Sequence, residues 1–62
     1  MQTKSGIEVT AGQLWVDDEG YTTYKIVAID EGELIVRTSP GDEVFVMGID
    51  DLDRRYLTLA GE

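Results

Sequence analysis

Thr22-Thr23-Tyr24-Lys25-Ile26-Val27-Ala28-Ile29, followed by Asp30-Glu31-Gly32-Glu33 and then Leu34-Ile35-Val36-Arg37-Thr38, decides the fold. β-Branched and aromatic residues dominate both runs, and neither shows a helix cap or a 3.6-residue apolar period, so each reads as a strand. The acidic, glycine-containing segment between them is short enough to be a hairpin turn. Gly32 is placed to take the positive φ of a type I turn with a bulge.

The rhythm repeats outward from this hairpin. Ser39-Pro40-Gly41-Asp42 puts proline at the second and glycine at the third turn position, which predicts a type II turn, and Glu43 to Gly48 returns as a further strand. Upstream, Leu14-Trp15-Val16 is a short strand closed by the polar turn Asp17-Asp18-Glu19-Gly20. Downstream, Ile49 to Asp53 begins with helix-starting aspartates but is too short for a stable α-helix, which predicts a single 3-10 turn. Tyr56 to Leu59 closes the chain as a final strand, with residues 60–62 as a tail. Residues 1–10 mix Gly, Ser, Thr and Lys and predict a partly frayed segment, with Ile7 and Val9 able to join a sheet edge.

The expected fold class is therefore all-β: a single domain over residues 1–62 with five antiparallel strands and a 3-10 turn before the last. In the two central strands neither alternating face is polar. Tyr24, Ile26 and Ala28 share one side, Val27 and Ile29 the other, and Leu34 and Val36 oppose Ile35. A flat sheet with one wetted face would alternate more cleanly, so the pattern predicts a sheet curled into a small barrel, or one whose second face meets another molecule.

Composition bounds the chemistry. Thirteen acidic residues against five basic ones give a net charge of −8 on 62 residues. Such a field repels nucleic-acid phosphates and anionic membrane surfaces, so no direct nucleic-acid or membrane contact is expected. With no histidine and no cysteine, neither a Ser-His or Cys-His nucleophile nor a zinc or disulfide staple can be assembled. A core this small leaves little room for a substrate cavity of about 300 Å³, and the scattered glycines form no phosphate-binding loop. No enzyme activity, catalytic residue, cofactor or metal site is expected. No apolar run reaches the 18 or so residues of a membrane span, and Met1 to Thr10 lacks a secretory leader's apolar stretch, which predicts a cytoplasmic protein.

Eleven of the thirteen acids fall into four clusters, each at an expected turn: Asp17-Asp18-Glu19, Asp30-Glu31-Glu33, Asp42-Glu43 and Asp50-Asp51-Asp53. Wet turns favour Asp, and surplus negative charge keeps a small β protein soluble. The same carboxylates also suit a basic protein partner, to which they would imitate spaced phosphates. The candidate protein-binding residues are Asp17, Asp18, Glu19, Tyr21, Asp50, Asp51 and Asp53, with Tyr21 the aromatic most exposed by its place beside Gly20. Trp15, Tyr21 and Tyr56 together are candidates for a groove, although packing in the core is the expected fate of Trp15 and Tyr24. Arg54-Arg55 is the one basic pair and reads as a local partner for Asp50, Asp51 and Asp53. Two further readings stay open: a homodimer formed through an apolar sheet face and open edges, and binding of a small ligand or cation. No EF-hand loop is present for the last of these.

Five short strands, a long first loop, two tight hairpins and a 3-10-like turn before the last strand form a layout that resembles SH3-like barrels over about Ala11 to Leu59. Gly12, Trp15, Asp17, Gly20, Tyr24, Ile26 and Ile29, then Gly32, Val36 and Arg37, then Leu52 and Tyr56, resemble short phage and prophage proteins of uncharacterised function that share such a barrel. The resemblance implies the barrel fold, carried mostly by structural glycines and core apolar residues. A proline-reading SH3 domain would carry paired aromatics in the first loop and a tryptophan after the second hairpin strand; here the sole tryptophan lies in the first strand. Nucleic-acid-binding relatives of the barrel offer basic residues, and this chain has only Lys4, Lys25, Arg37, Arg54 and Arg55.

Overall fold

The computed structural model describes residues 1–54 and 57–61. Five strands, β1 (Leu14–Val16), β2 (Thr23–Asp30), β3 (Glu33–Ser39), β4 (Val44–Gly48) and β5 (Thr58–Gly61), form one antiparallel sheet in the order β4-β3-β2-β1-β5. One short helix, α1 (Asp50–Arg54), precedes β5. The chain is thus mostly β, and among the described residues no ladder joins β4 to β5 to close the sheet into a barrel.

β2 carries the sheet around its bend. Ile26 stands opposite Val36 and Ala28 opposite Ile35, so Val27 is an extra residue on β2 with no partner across the ladder. Such a bulge increases local twist and resets the face that later side chains occupy. Ile26 is fully buried and Val27 and Ile29 are exposed, as alternation expects, but the register differs from it: Ala28 stands opposite Ile35 and Ile29 opposite the buried Leu34. The inner face then holds Trp15, Ile26, Leu34, Val36 and Met47, joined by Val9, Leu52 and Leu57 from outside the sheet. Tyr24 and Phe45 flank this core edge to face, with ring centroids 6.3 Å apart and planes at 89°.

Turn chemistry differs from expectation at both hairpins. Between β2 and β3 the loop is only Glu31-Gly32, and both take positive φ, 51° and 82°. That is the two-residue turn whose twist matches the flanking strands, rather than a type I turn with a bulge. Glutamate is strained there, while asparagine tolerates this conformation, so Glu31→Asn is expected to stabilise the domain by about 0.5–1 kcal/mol. A thermal melt checks it: the midpoint should rise by roughly 3–6 °C for a chain of this size, and a fall would contradict the turn assignment. Between β3 and β4, Gly41 takes the expected positive φ of 103°, but Asp42 follows it at 50° and the Ser39-Pro40 bond is cis. The loop is closed by Thr38 and Glu43, whose backbone and hydroxyl groups bond at 2.8–3.4 Å, instead of by a type II turn over Ser39 to Asp42.

Three further expectations are corrected. Residues 1–10 are not frayed: Gln2 pairs with Glu8, the Thr3 N–H donates to the Ile7 carbonyl at 3.0 Å, and Thr3 and Val9 are buried. The apolar contact of Val9 with the core, together with the Thr3 hydroxyl accepting from the Ile7 N–H at 3.2 Å, supplies the order that composition did not suggest. The segment after β4 forms one α-helical turn rather than a 3-10 turn, because Leu52 is anchored in the core and Asp51 reaches back to accept from the Gly48 N–H at 3.0 Å. Finally, β5 begins two residues later than expected. The Leu57 N–H donates to the Leu52 carbonyl at 3.0 Å, so Leu57 ends the helical crossing and pairing with β1 starts at Thr58 opposite Val16. Ala60 and Gly61, expected in a tail, belong to that strand. Tyr56, expected to open it, and Arg55 and Glu62 lie outside the described residues.

Candidate functional site

Strand register decides which acidic clusters can act together. Val16, Thr23 and Ser39 share one end of the sheet, which places the β1–β2 loop, with Asp17, Asp18 and Glu19, beside the β3–β4 loop, with Asp42 and Glu43. Asp30 pairs with Glu33 and Glu33 with Gly48 at the other end, so the Asp30-Glu31-Glu33 hairpin lies next to the start of α1. The candidate residues Asp17, Asp18, Glu19 and Tyr21 therefore sit at one end of the strands. Asp50 and Asp51 enter the fold from the other.

Within each group the carboxylates divide into those used internally and those left free. Asp17 staples its own loop: its Oδ1 accepts from the Tyr21 N–H at 2.9 Å, and its carbonyl accepts from the Gly20 N–H at 3.1 Å. That turn lifts Asp18 and Glu19 to an exposed tip and leaves Tyr21 76% exposed. Asp51 binds the Gly48 N–H and forms an ion pair with Arg54 at 2.9 Å. The pairing expected of Arg54 is thus made with Asp51 alone, and that of Arg55 lies outside the described residues. Asp53 accepts from the Lys4 N–H at 3.0 Å and the Ser5 hydroxyl at 3.5 Å, tying the N-terminal arm to α1. Asp50 is exposed at the start of the helix and has no such bond.

Asp18, Glu19, Asp30, Glu31, Glu33, Glu43 and Asp50 are thus exposed carboxylates with no side-chain hydrogen bond or ion pair to the rest of the described chain. Asp30, Glu31 and Glu33 belong to this free set although the candidate residues read from the sequence left them out. The signal that finds them is register, since only the pairing of Glu33 with Gly48 brings the hairpin to Asp50. The remaining ion pairs among the described residues are peripheral: the N-terminal amine with Glu8 at 2.7 Å, and Arg37 with Asp42 at 3.5 Å. Among the described residues no three carboxylates converge as a metal site would need.

Of the three aromatics considered for a groove, Trp15 is 1% exposed and packs in the core, and its indole N–H donates to Gln13 Oε1 at 3.2 Å. Tyr21 is exposed alone, and Tyr56 lies outside the described residues. Tyr24 is half-buried against Phe45, at the margin of the core rather than inside it.

The outer face of the sheet is the second surface of note. Leu14, Lys25, Arg37 and Val44 stand in one row across β1, β2, β3 and β4, and Ala28, Ile35 and Val46 in the next. Two of the chain's five basic residues are therefore set among exposed apolar side chains, and of these Arg37 also reaches Asp42 of the β3–β4 loop. No protein-family model, curated protein or solved structure matches this chain.

Proposed function

We propose that this chain is an SH3-like barrel of the short phage and prophage type, acting as a non-enzymatic accessory module that presents acidic loops to a basic protein. The strand order, the bend of β2 at Val27 and the one-turn helix before β5 support the barrel reading, since they are the parts that let a five-stranded sheet curl upon itself. The acidic reading rests on one observation: seven exposed carboxylates project from loops and strand ends without a partner among the described residues. Internal bonds already occupy Asp17, Asp51 and Asp53, so the residues offered to a partner are Asp18, Glu19 and Asp50, joined by Asp30, Glu31, Glu33 and Glu43.

Charges arranged in this way steer a basic partner and set its orientation more than they add to affinity. The test is capture of a partner from lysate of the source cells, followed by titration of the purified pair with salt and with Asp18→Asn/Glu19→Gln and Glu31→Gln/Asp50→Asn variants. Binding should weaken at least tenfold between about 0.1 and 0.5 M salt, where the screening length falls well below 10 Å. One of the two variant pairs should weaken it as well, identifying the end that docks. An affinity indifferent to salt and to both pairs would remove this function.

A further inference from the structure

The unpaired side of β4 is the strongest feature left unexplained. β4 ends the strand order, and among the described residues nothing pairs with its outer edge. The Thr38 N–H to Glu43 carbonyl bond sets the phase of the ladder: Phe45 and Met47 turn their backbone groups toward β3, and Val44, Val46 and Gly48 turn theirs away. Asp51 occupies the Gly48 N–H, which leaves Val44 and Val46 with outward amides. Natural edges are blunted by lysine, proline or bulges. Val44-Phe45-Val46-Met47-Gly48 has none of these, and both outward valines are 56% exposed.

We propose that two copies of this chain pair through β4, antiparallel about a twofold axis at Val46. In that register Val46 exchanges N–H and carbonyl bonds with the partner's Val46, and the Val44 N–H donates to the carbonyl of the partner's Gly48. The Gly48 N–H stays with Asp51, so no bond within the chain is given up. Local charge complementarity supports a second copy as the occupant, against the repulsion between two chains of net charge −8. On the outer face Arg37 stands beside Val44, and Glu33 beside Gly48. Pairing β4 with itself therefore extends the row as Arg37, Val44, the partner's Gly48 and the partner's Glu33, and twofold symmetry repeats it. Arg37 and the partner's Glu33 are then about three strand spacings, roughly 14 Å, apart at Cα, so the guanidinium must extend along Val44 to approach the carboxylate, and the partner's Gly48 adds no further side chain between them. In the isolated chain the ion pair of Arg37 is with Asp42, at 3.5 Å with both groups exposed, a pairing of little strength.

Sedimentation equilibrium of the full chain, from about 1 to 500 µM in about 0.15 M salt, is the test, and a dimer with a dissociation constant of about 100 µM or tighter is expected. Val46→Lys sits at a surface position, so the domain should keep its circular dichroism spectrum while dimerisation weakens at least tenfold, even though the net charge becomes less negative. Arg37→Glu and Glu33→Arg should each weaken the dimer, and the double variant, whose net charge equals the parent's −8, should restore it. Amide exchange at Val44 and Val46 should slow as concentration rises. A monomer throughout the range, a dimer insensitive to Val46→Lys, or a dimer tightened by Glu33→Arg alone would each overturn the proposal.

Discussion

Trp15→Ala is expected to leave the domain largely unfolded at 37 °C. Trp15 is 1% exposed on the short strand β1, opposite Tyr24 on β2 and Leu59 on β5, so it packs in the core where β5 joins the rest of the sheet. Truncating a buried aromatic of this size costs about 3–5 kcal/mol. A chain of 62 residues has a total stability of about 3–9 kcal/mol. The loss is thus of the same size as the whole, and with no cysteine to form a disulfide the domain has little reserve. The thermal midpoint should fall by about 15–30 °C. Far-ultraviolet circular dichroism reads the transition, because the variant removes the only tryptophan. Val44→Ala, at an exposed position, should stay within about 0.5 kcal/mol of the parent. A Trp15→Ala protein that melts within a few degrees of the parent would mean that the core is organised around another residue.

The central hairpin was legible because its signal is local. β-Branched residues flank a glycine turn, and β1 begins and ends where the Leu14-Trp15-Val16 run does. What escaped depends on contacts made far along the chain. The order of residues 1–10 comes from Val9 in the core and from Asp53 holding Lys4 and Ser5, a contact spanning more than forty positions. The late start of β5 comes from the Leu57 bond to Leu52, which no propensity of Tyr56 or Thr58 encodes. The bulge at Val27 is equally silent, since Ile26-Val27-Ala28-Ile29 reads as an unbroken strand and only pairing with β3 shows that one residue is surplus.

The candidate site shows the same division. Asp, Glu and Gly marked where the chain reverses, though not the turn types, so Asp18, Glu19 and Asp50 were found as exposed acids. Their grouping was not readable, because sequence neighbourhood pairs Asp50 with Asp51 and Asp53, whereas the fold spends those two on Gly48, Arg54 and the N-terminal arm and sets Asp50 beside the β2–β3 hairpin instead. Lys25 and Arg37 likewise meet only through the register of β2 with β3. A chain rich in one charge hides such details, since composition ranks its carboxylates equally and hydrogen bonding does not.

Gln13→Met is expected to destabilise the domain by about 2–4 kcal/mol while leaving its shape nearly unchanged. Gln13 is a buried polar residue adjoining the apolar core. Its Oε1 accepts from the Trp15 indole N–H at 3.2 Å and from the Thr10 N–H at 3.1 Å, and its Nε2 donates to the Glu8 carbonyl at 2.8 Å. One amide therefore satisfies the only polar side-chain atom of the central tryptophan and binds the N-terminal arm to the sheet. Methionine has similar length and fills the same space, so cavity formation contributes little and the loss reports the three bonds. The Thr10 and Glu8 groups belong to exposed residues and can turn to water, but the indole N–H is sealed in the core and bears the larger penalty. A double-mutant cycle separates these parts. Trp15→Phe removes the stranded donor, so Gln13→Met should cost about 1 kcal/mol less in that background than in the parent. Chemical denaturation of the four proteins measures the difference, and amides of residues 1–10 should exchange faster in both proteins that carry the Gln13→Met change, as the arm loosens. Equal costs in the two backgrounds would show that Gln13 acts through the arm alone and that the indole finds water without it.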